Sequence, residues 1–125
     1  MIYAVYFDGT LCEEKWPGIG KPNTRLIDFL KQEQKNGNEL ILWTMREGDY
    51  LQEALDWCEG LGLIFDAVND NLQSQKDLYG NNPRKISADY YIDDHNAPYD
   101  FMTMFRIPYN EKVMIYDSNR VICKV

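Results

Sequence analysis

Residues 2–11 read IYAVYFDGTL, and residues 88–94 read ADYYIDD. Each is a short run of apolar, β-branched and aromatic residues, the composition of a buried strand. Each also ends in acidic residues. The first delivers Asp8 followed by Gly9, and glycine permits the tight turn that must follow. The second ends in the adjacent carboxylates of Asp93 and Asp94. Two strands that carry acids at their C-terminal ends suit a magnesium ion and, through it, a phosphate, because magnesium takes oxygen ligands.

Outward from these strands, the remaining elements alternate. Residues 11–22 form a polar loop with Pro17, Gly18, Gly20 and Pro22. Asn23 fits an N-cap, and Leu26, Ile27 and Leu30 give a helical apolar stripe that Asn36-Gly37-Asn38 stops. Glu39 to Trp43 is a second strand, ending at Thr44. A helix follows from about Asp49, with Leu51, Ala54, Leu55, Cys58 and Leu61 on one face, and ends near Gly62. Leu63 to Val68 reads as a third strand, and residues 69–84 are polar, with a helical turn around Gln73 to Tyr79. Ala88 to Ile92 is the fourth strand. Strands alternating with helices predict an α/β fold with a mostly parallel sheet and helices on both faces. Ligands of such sheets sit beyond the carboxyl ends of the strands, where Asp8, Thr44, Asp93 and Asp94 all fall. In residues 111–125, EKVMIYDSNRVICKV, two apolar runs flank Asp117 to Arg120. They predict a β-hairpin with its turn near Ser118-Asn119.

Composition narrows the functional classes. A chain of 125 residues is one domain with room for a core, and 45% hydrophobic with 26% charged residues is ordinary for a globular protein. A formal net charge of −7 argues against duplex nucleic acid, whose binding rests on neutralising phosphates. It does not exclude small phosphorylated molecules, since a bound cation inverts the local field. No apolar run approaches the roughly 20 residues that span a bilayer, and the start MIYAVYFDGT lacks the basic region of a signal peptide. Cys12, Cys58 and Cys123 are odd in number and form no CxxC pair, which predicts plain thiols in a reduced, cytoplasmic setting.

The order of these landmarks resembles the haloacid dehalogenase (HAD) superfamily of phosphotransferases. Its first motif, an aspartate, any residue, then Asp-Gly-Thr after a buried strand, stands here as Tyr6-Phe7-Asp8-Gly9-Thr10. Its second, an apolar strand ending in Thr or Ser, is matched by Glu39-Leu40-Ile41-Leu42-Trp43-Thr44. Lys85 fits the third, and Asp93-Asp94 the fourth. The resemblance implies a HAD-like (Rossmannoid) three-layer sandwich over residues 1–110 without a cap, with residues 111–125 packed on the same domain as a hairpin. It implies a magnesium-dependent phosphohydrolase acting on a phosphorylated small molecule, with a site either open or covered by a neighbouring subunit in a homo-oligomer. Asp8 would then be the acid/base, Thr44 a hydroxyl donor to phosphate and Lys85, with Arg84 as its competitor, the neutraliser of developing charge. Magnesium would be held by the Asp8 carbonyl with Asp93 and Asp94, and Gly9, Thr10, Met45 and Arg46 would lie against substrate.

One position departs from that pattern. Tyr6 stands where the nucleophilic aspartate belongs. A phenol of pKa about 10 is hardly ionised at neutral pH, and its ring is longer and bulkier than a carboxylate. Catalysis is therefore expected to be lost or impaired and magnesium binding weakened, with Tyr6 filling the phosphate pocket. A non-catalytic module that binds a phosphorylated ligand or a protein is the alternative. Arg46 would either read a substrate anion or form a surface salt bridge. Asp89, inside the fourth strand, is expected to make a structural hydrogen bond. Trp16 is expected either to be part of a lid or to pack on the domain.

Overall fold

The structure, a computed structural model, describes residues 1–97 together with the backbone of two later strands. The chain divides into two units, Met1–Asp94 and His95–Val125. In the first, β1 (Ile2–Val5), α1 (Thr24–Lys35), β2 (Glu39–Leu42), α2 (Gly48–Gly60), β3 (Ala67–Val68), α3 (Gln73–Tyr79) and β4 (Tyr90–Ile92) follow one another. In the second, β5 (Met114–Asp117) pairs antiparallel with β6 (Arg120–Cys123). Ser118 and Asn119, where the sequence places a turn, lie outside the described residues.

The first unit is an α/β fold around a four-stranded, all-parallel sheet in the order β3-β2-β1-β4. Period-two alternation sorts β1 between its faces. Tyr3 and Val5 join Leu40, Leu42, Ile27, Leu30, Ala54 and Cys58 in one cluster, which places α1 and α2 on that face. Ala4 joins Ile41, Leu72 and Ile86 on the other, beneath the start of α3. Leu30, Leu40, Leu42 and Val5 have no exposed surface, and burying each such side chain contributes roughly 1.5–3 kcal/mol.

α1 begins where its cap predicts: Asn23 Oδ1 accepts from the Leu26 N–H (3.3 Å). β3 and β4 are shorter than their apolar runs suggest, and aspartates explain where both begin. Asp66, just before β3, accepts the Leu40 N–H with Oδ2 (2.8 Å) and donates its own N–H to the Leu40 carbonyl. Asp89, just before β4, treats Ile2 the same way (2.6 Å from N to Oδ2). A carboxylate thus replaces one rung of the ladder at the start of each strand, and Asp89 makes the structural bond expected of it. Among the described residues no helix is long and apolar enough to cross a membrane. Cys12 and Cys58 are buried free thiols.

Candidate functional site

From β1 the chain steps outward to β2 and β3, then returns past β1 to β4. The winding direction therefore reverses between β1 and β4, and open α/β sheets form their ligand crevice at such a reversal. The Asp8-Gly9-Thr10 turn and the Asp93-Asp94 pair leave the sheet on the two sides of this crevice.

The turn after β1 is tied at several points. Phe7 O accepts from the N–H groups of Thr10 (3.1 Å) and Leu11 (3.0 Å), curling the chain back immediately beyond the strand. Thr10 Oγ1 donates to Asp94 Oδ1 (3.2 Å) and accepts from the Asp94 N–H (3.1 Å), linking the turn to the end of β4. Gly9 is required twice over. Its φ of +88° is a left-handed conformation, and a Cβ there would lie 2.6 Å from Asp94 Oδ2. Asp93 and Asp94 present carboxylate oxygens within 4.8 Å of each other.

Tyr6 extends β1 by one more bond, its N–H donating to Ile92 O (2.9 Å). Its side chain is half-buried and lines a cleft of about 310 Å³ together with Asp8, Glu14, Trp16, Met45 and Arg46. Burial raises the pKa of its phenol above the usual value of 10.0, and the negative charges of Asp8, Asp93, Asp94 and Glu14 push it further. The Tyr6 hydroxyl is thus held protonated among acids.

Arg46 occupies a position that neither expectation described. It is 2% exposed. Its Nε donates to Asp8 Oδ2 (2.9 Å) and its Nη2 to Asp8 Oδ1 (2.8 Å), a two-pronged, charge-assisted pair across 38 residues of sequence. Nη2 also donates to Gly18 O (2.8 Å), and Nη1 donates to Pro17 O (3.4 Å) and Tyr50 O (3.3 Å). All five guanidinium N–H groups are engaged by the protein. The planar group also lies 5.0 Å from the Phe7 ring centroid and 4.9 Å from that of Trp16. Arg46 therefore joins the β1 turn, the 13–18 loop and the first turn of α2, and the bond from Asp8 raises its own pKa further. Trp16 packs on the domain through this arginine while keeping 52% of its surface exposed.

The other predicted residues are placed as follows. Thr44 leaves β2 with its N–H on Asn69 Oδ1 (2.7 Å), and its Oγ1 accepts from the Arg46 N–H (3.1 Å), so the hydroxyl proton is left to donate elsewhere. Met45 is 89% exposed at the mouth of the cleft. Lys85 is exposed, and its ammonium lies 5.7 Å from the Tyr91 ring centroid. Among the described ion pairs and hydrogen bonds none joins the Lys85 ammonium to the acidic residues of the crevice.

Sequence reasoning missed the turn that carries these contacts, Asn69-Asp70-Asn71. Asn69 adopts a positive φ of 51° and holds Thr44. Asn71 is buried, and its amide donates to Asn82 Oδ1 (3.0 Å), Pro83 O (3.2 Å) and Lys85 O (3.4 Å), while its Oδ1 accepts from the Ser87 N–H (2.6 Å). Asp70 pairs with Lys76 (2.7 Å), which together with Asn82 lowers its pKa. The only sequence signal was an Asn-Asp-Asn run after a strand, which reads as a loop.

No protein-family model and no curated protein matches the chain. Among solved structures, that of a conserved protein encoded at a locus of Bacteroides thetaiotaomicron is similar, at 35% sequence identity and a TM-score of 0.69. The match covers 87% of this chain and 93% of that one, so the chain belongs to the same family as this conserved Bacteroides thetaiotaomicron protein.

Proposed function

We propose that this chain is a HAD-like protein whose crevice binds a phosphorylated small molecule with magnesium, and whose hydrolytic step is lost or severely impaired because Tyr6 replaces the nucleophile. The observation that carries the proposal is the convergence of Asp8, Thr10 and Asp94 at the switch point of the sheet, with Tyr6 beside them. The HAD-like reading of the sheet is part of the proposal. So is a cytoplasmic setting.

In this reading the Asp8-Gly9-Thr10 turn and Thr44 orient the phosphoryl group, with the Thr44 hydroxyl as donor and Lys85 as the cation approaching from the 82–87 loop. The donor set fits magnesium in part. Asp93 and Asp94 would supply hard oxygen ligands and the Asp8 backbone carbonyl a third. The Asp8 carboxylate is committed to Arg46, and a phenol kept protonated is a poor ligand for a cation that prefers charged oxygen. Magnesium bound there would neutralise the phosphoryl oxygens. Weakened binding is the expectation.

Tyr6 also explains why chemistry should stop. Carboxylate catalysis needs a compact, ionised group that attacks phosphorus. A protonated phenol among Asp8, Asp93 and Asp94 lacks both the charge and the room. A non-catalytic ligand- or protein-binding module is the second reading, favoured by Arg46 occupying both oxygens of Asp8. Comparing magnesium-dependent hydrolysis of p-nitrophenyl phosphate by this chain and by Tyr6→Asp tests the proposal. Near-background turnover that rises in the variant supports lost chemistry at an intact site, whereas silence in both supports the binding module.

A further inference from the structure

We infer that Trp16 is the specificity-determining residue of the cleft, a preformed aromatic platform that selects phosphate esters with a planar, apolar body. The inference rests on the phosphate reading above and adds the chemistry of the part of the ligand that is not phosphate.

Trp16 is half-exposed yet firmly held. The loop that carries it is closed at its base by Glu13 N–H donating to Lys21 O (2.8 Å). It is packed closely enough that a Cβ on Gly20 would collide with Glu13 O. The Trp16 N–H donates to Glu14 Oε1 (3.1 Å), and the next two carbonyls, Pro17 O and Gly18 O, accept from the buried Arg46. The indole rests against the same guanidinium at 4.9 Å and against the Tyr50 ring at 5.0 Å, tilted by 56°. A tryptophan so anchored cannot withdraw into the core, and 52% of it remains open beside the cleft it lines with Met45. The ordering entropy of a binding surface has thus been met in the free protein, which favours affinity at that end of a ligand.

The polar end of the cleft is the weaker partner. Among the described residues Arg46 is the one cation that lines it, and all of that residue's donors are taken by protein acceptors. The phosphoryl group therefore gains little direct charge pairing from the cleft wall, and recognition falls on the body of the ligand. An aromatic ring seated on an indole gains dispersion and stacking that a methyl group does not.

The test compares phenyl phosphate with methyl phosphate by titration calorimetry on the full chain with magnesium. Binding of phenyl phosphate roughly tenfold or more tighter is expected, on the scale of a single aromatic stack. Trp16→Ala should erase that difference, Trp16→Phe should restore most of it, and Trp43→Ala should leave it alone. Because a loop variant can lose its fold, the indole N–H resonances of the unaltered chain give a second reading. Phenyl phosphate should shift that of Trp16 and not that of Trp57, whose ring packs edge-on against Phe7 (centroids 5.5 Å apart) in the core cluster. Equal affinity for the two esters overturns the platform and leaves the phosphate reading standing. Phenol binding as tightly as phenyl phosphate overturns the phosphate reading instead, and binding of neither ester overturns both.

Discussion

Replacing Arg46 with methionine removes the guanidinium while keeping an unbranched apolar stem among Phe7, Trp16 and the start of α2. What remains is a carboxylate that has lost its partner in a site where the Arg46 and Asp8 side chains are 1% and 10% exposed. The carbonyls of Pro17, Gly18 and Tyr50 also lose a donor. Breaking a buried pair by deleting one partner costs about 3–5 kcal/mol, most of it the penalty of the uncompensated charge. For a domain of this size that corresponds to a fall of roughly 10–25 °C in melting temperature. The double variant Asp8→Leu/Arg46→Met removes the stranded charge as well and should recover most of the loss. Urea unfolding followed by circular dichroism reads both variants. A cost below about 1 kcal/mol for Arg46→Met, the magnitude of an exposed ion pair, would refute the view that Arg46 ties the β1 turn, the 13–18 loop and α2 together.

Three further outcomes are expected. Gly9→Ala should destabilise by about 1–3 kcal/mol, and by more than Gly37→Ala. Both glycines have φ near +90°, but only Gly9 faces a neighbour, Asp94, so equal costs would show that the close approach to Asp94 carries no energy. Asn71→Ala should cost about 1–3 kcal/mol and speed hydrogen exchange at the Ser87 N–H, and unchanged exchange there would rule out Asn71 as the anchor of the 82–87 loop. Stability should fall in alkali. Burial raises the Cys58 thiol from 9.0 and the Tyr3 phenol from 10.0, each to about 12, with Cys12 and Glu33 adding to the respective shifts. The folded state holds these protons more tightly, so the stabilisation is complete below pH 9 and lost as pH rises toward 12, a change on the order of a few kcal/mol. A urea midpoint that stays constant between pH 8 and 11.5 would contradict it.

How far the sequence carried this account differs between elements. Local signals placed α1, because Asn23 can cap it and Asn36-Gly37-Asn38 must end it. They also placed the carboxyl ends of β1, β2 and β4, where a run of apolar residues stops at acids or threonine. The parallel sheet followed from the alternation of strands and helices. Strand starts were less legible, since whether Asp66 and Asp89 continue a strand or cap a neighbour depends on a partner far away in sequence. The same distance hid the Asp8–Arg46 pair. An arginine after a strand reads equally as a ligand contact or a surface charge until the fold shows that loop carbonyls and an aspartate 38 positions earlier surround it. Asn71 was illegible for a like reason: its acceptors lie 11 to 14 residues ahead, and nothing local marks a loop asparagine as buried. That Tyr6 stands where the resemblance expects an aspartate was read from motif order, and the resemblance itself belongs to the proposal. The structure adds the burial, and after it the neighbouring acids, that raise the pKa of its phenol.

The most direct test of the central claim is the rate of magnesium-dependent p-nitrophenyl phosphate hydrolysis by this chain and by Tyr6→Asp, measured side by side. Turnover near background in this chain and clear, magnesium-dependent turnover in the variant is the predicted result. Equal turnover by the two chains would contradict it, since another group would then have to attack phosphorus.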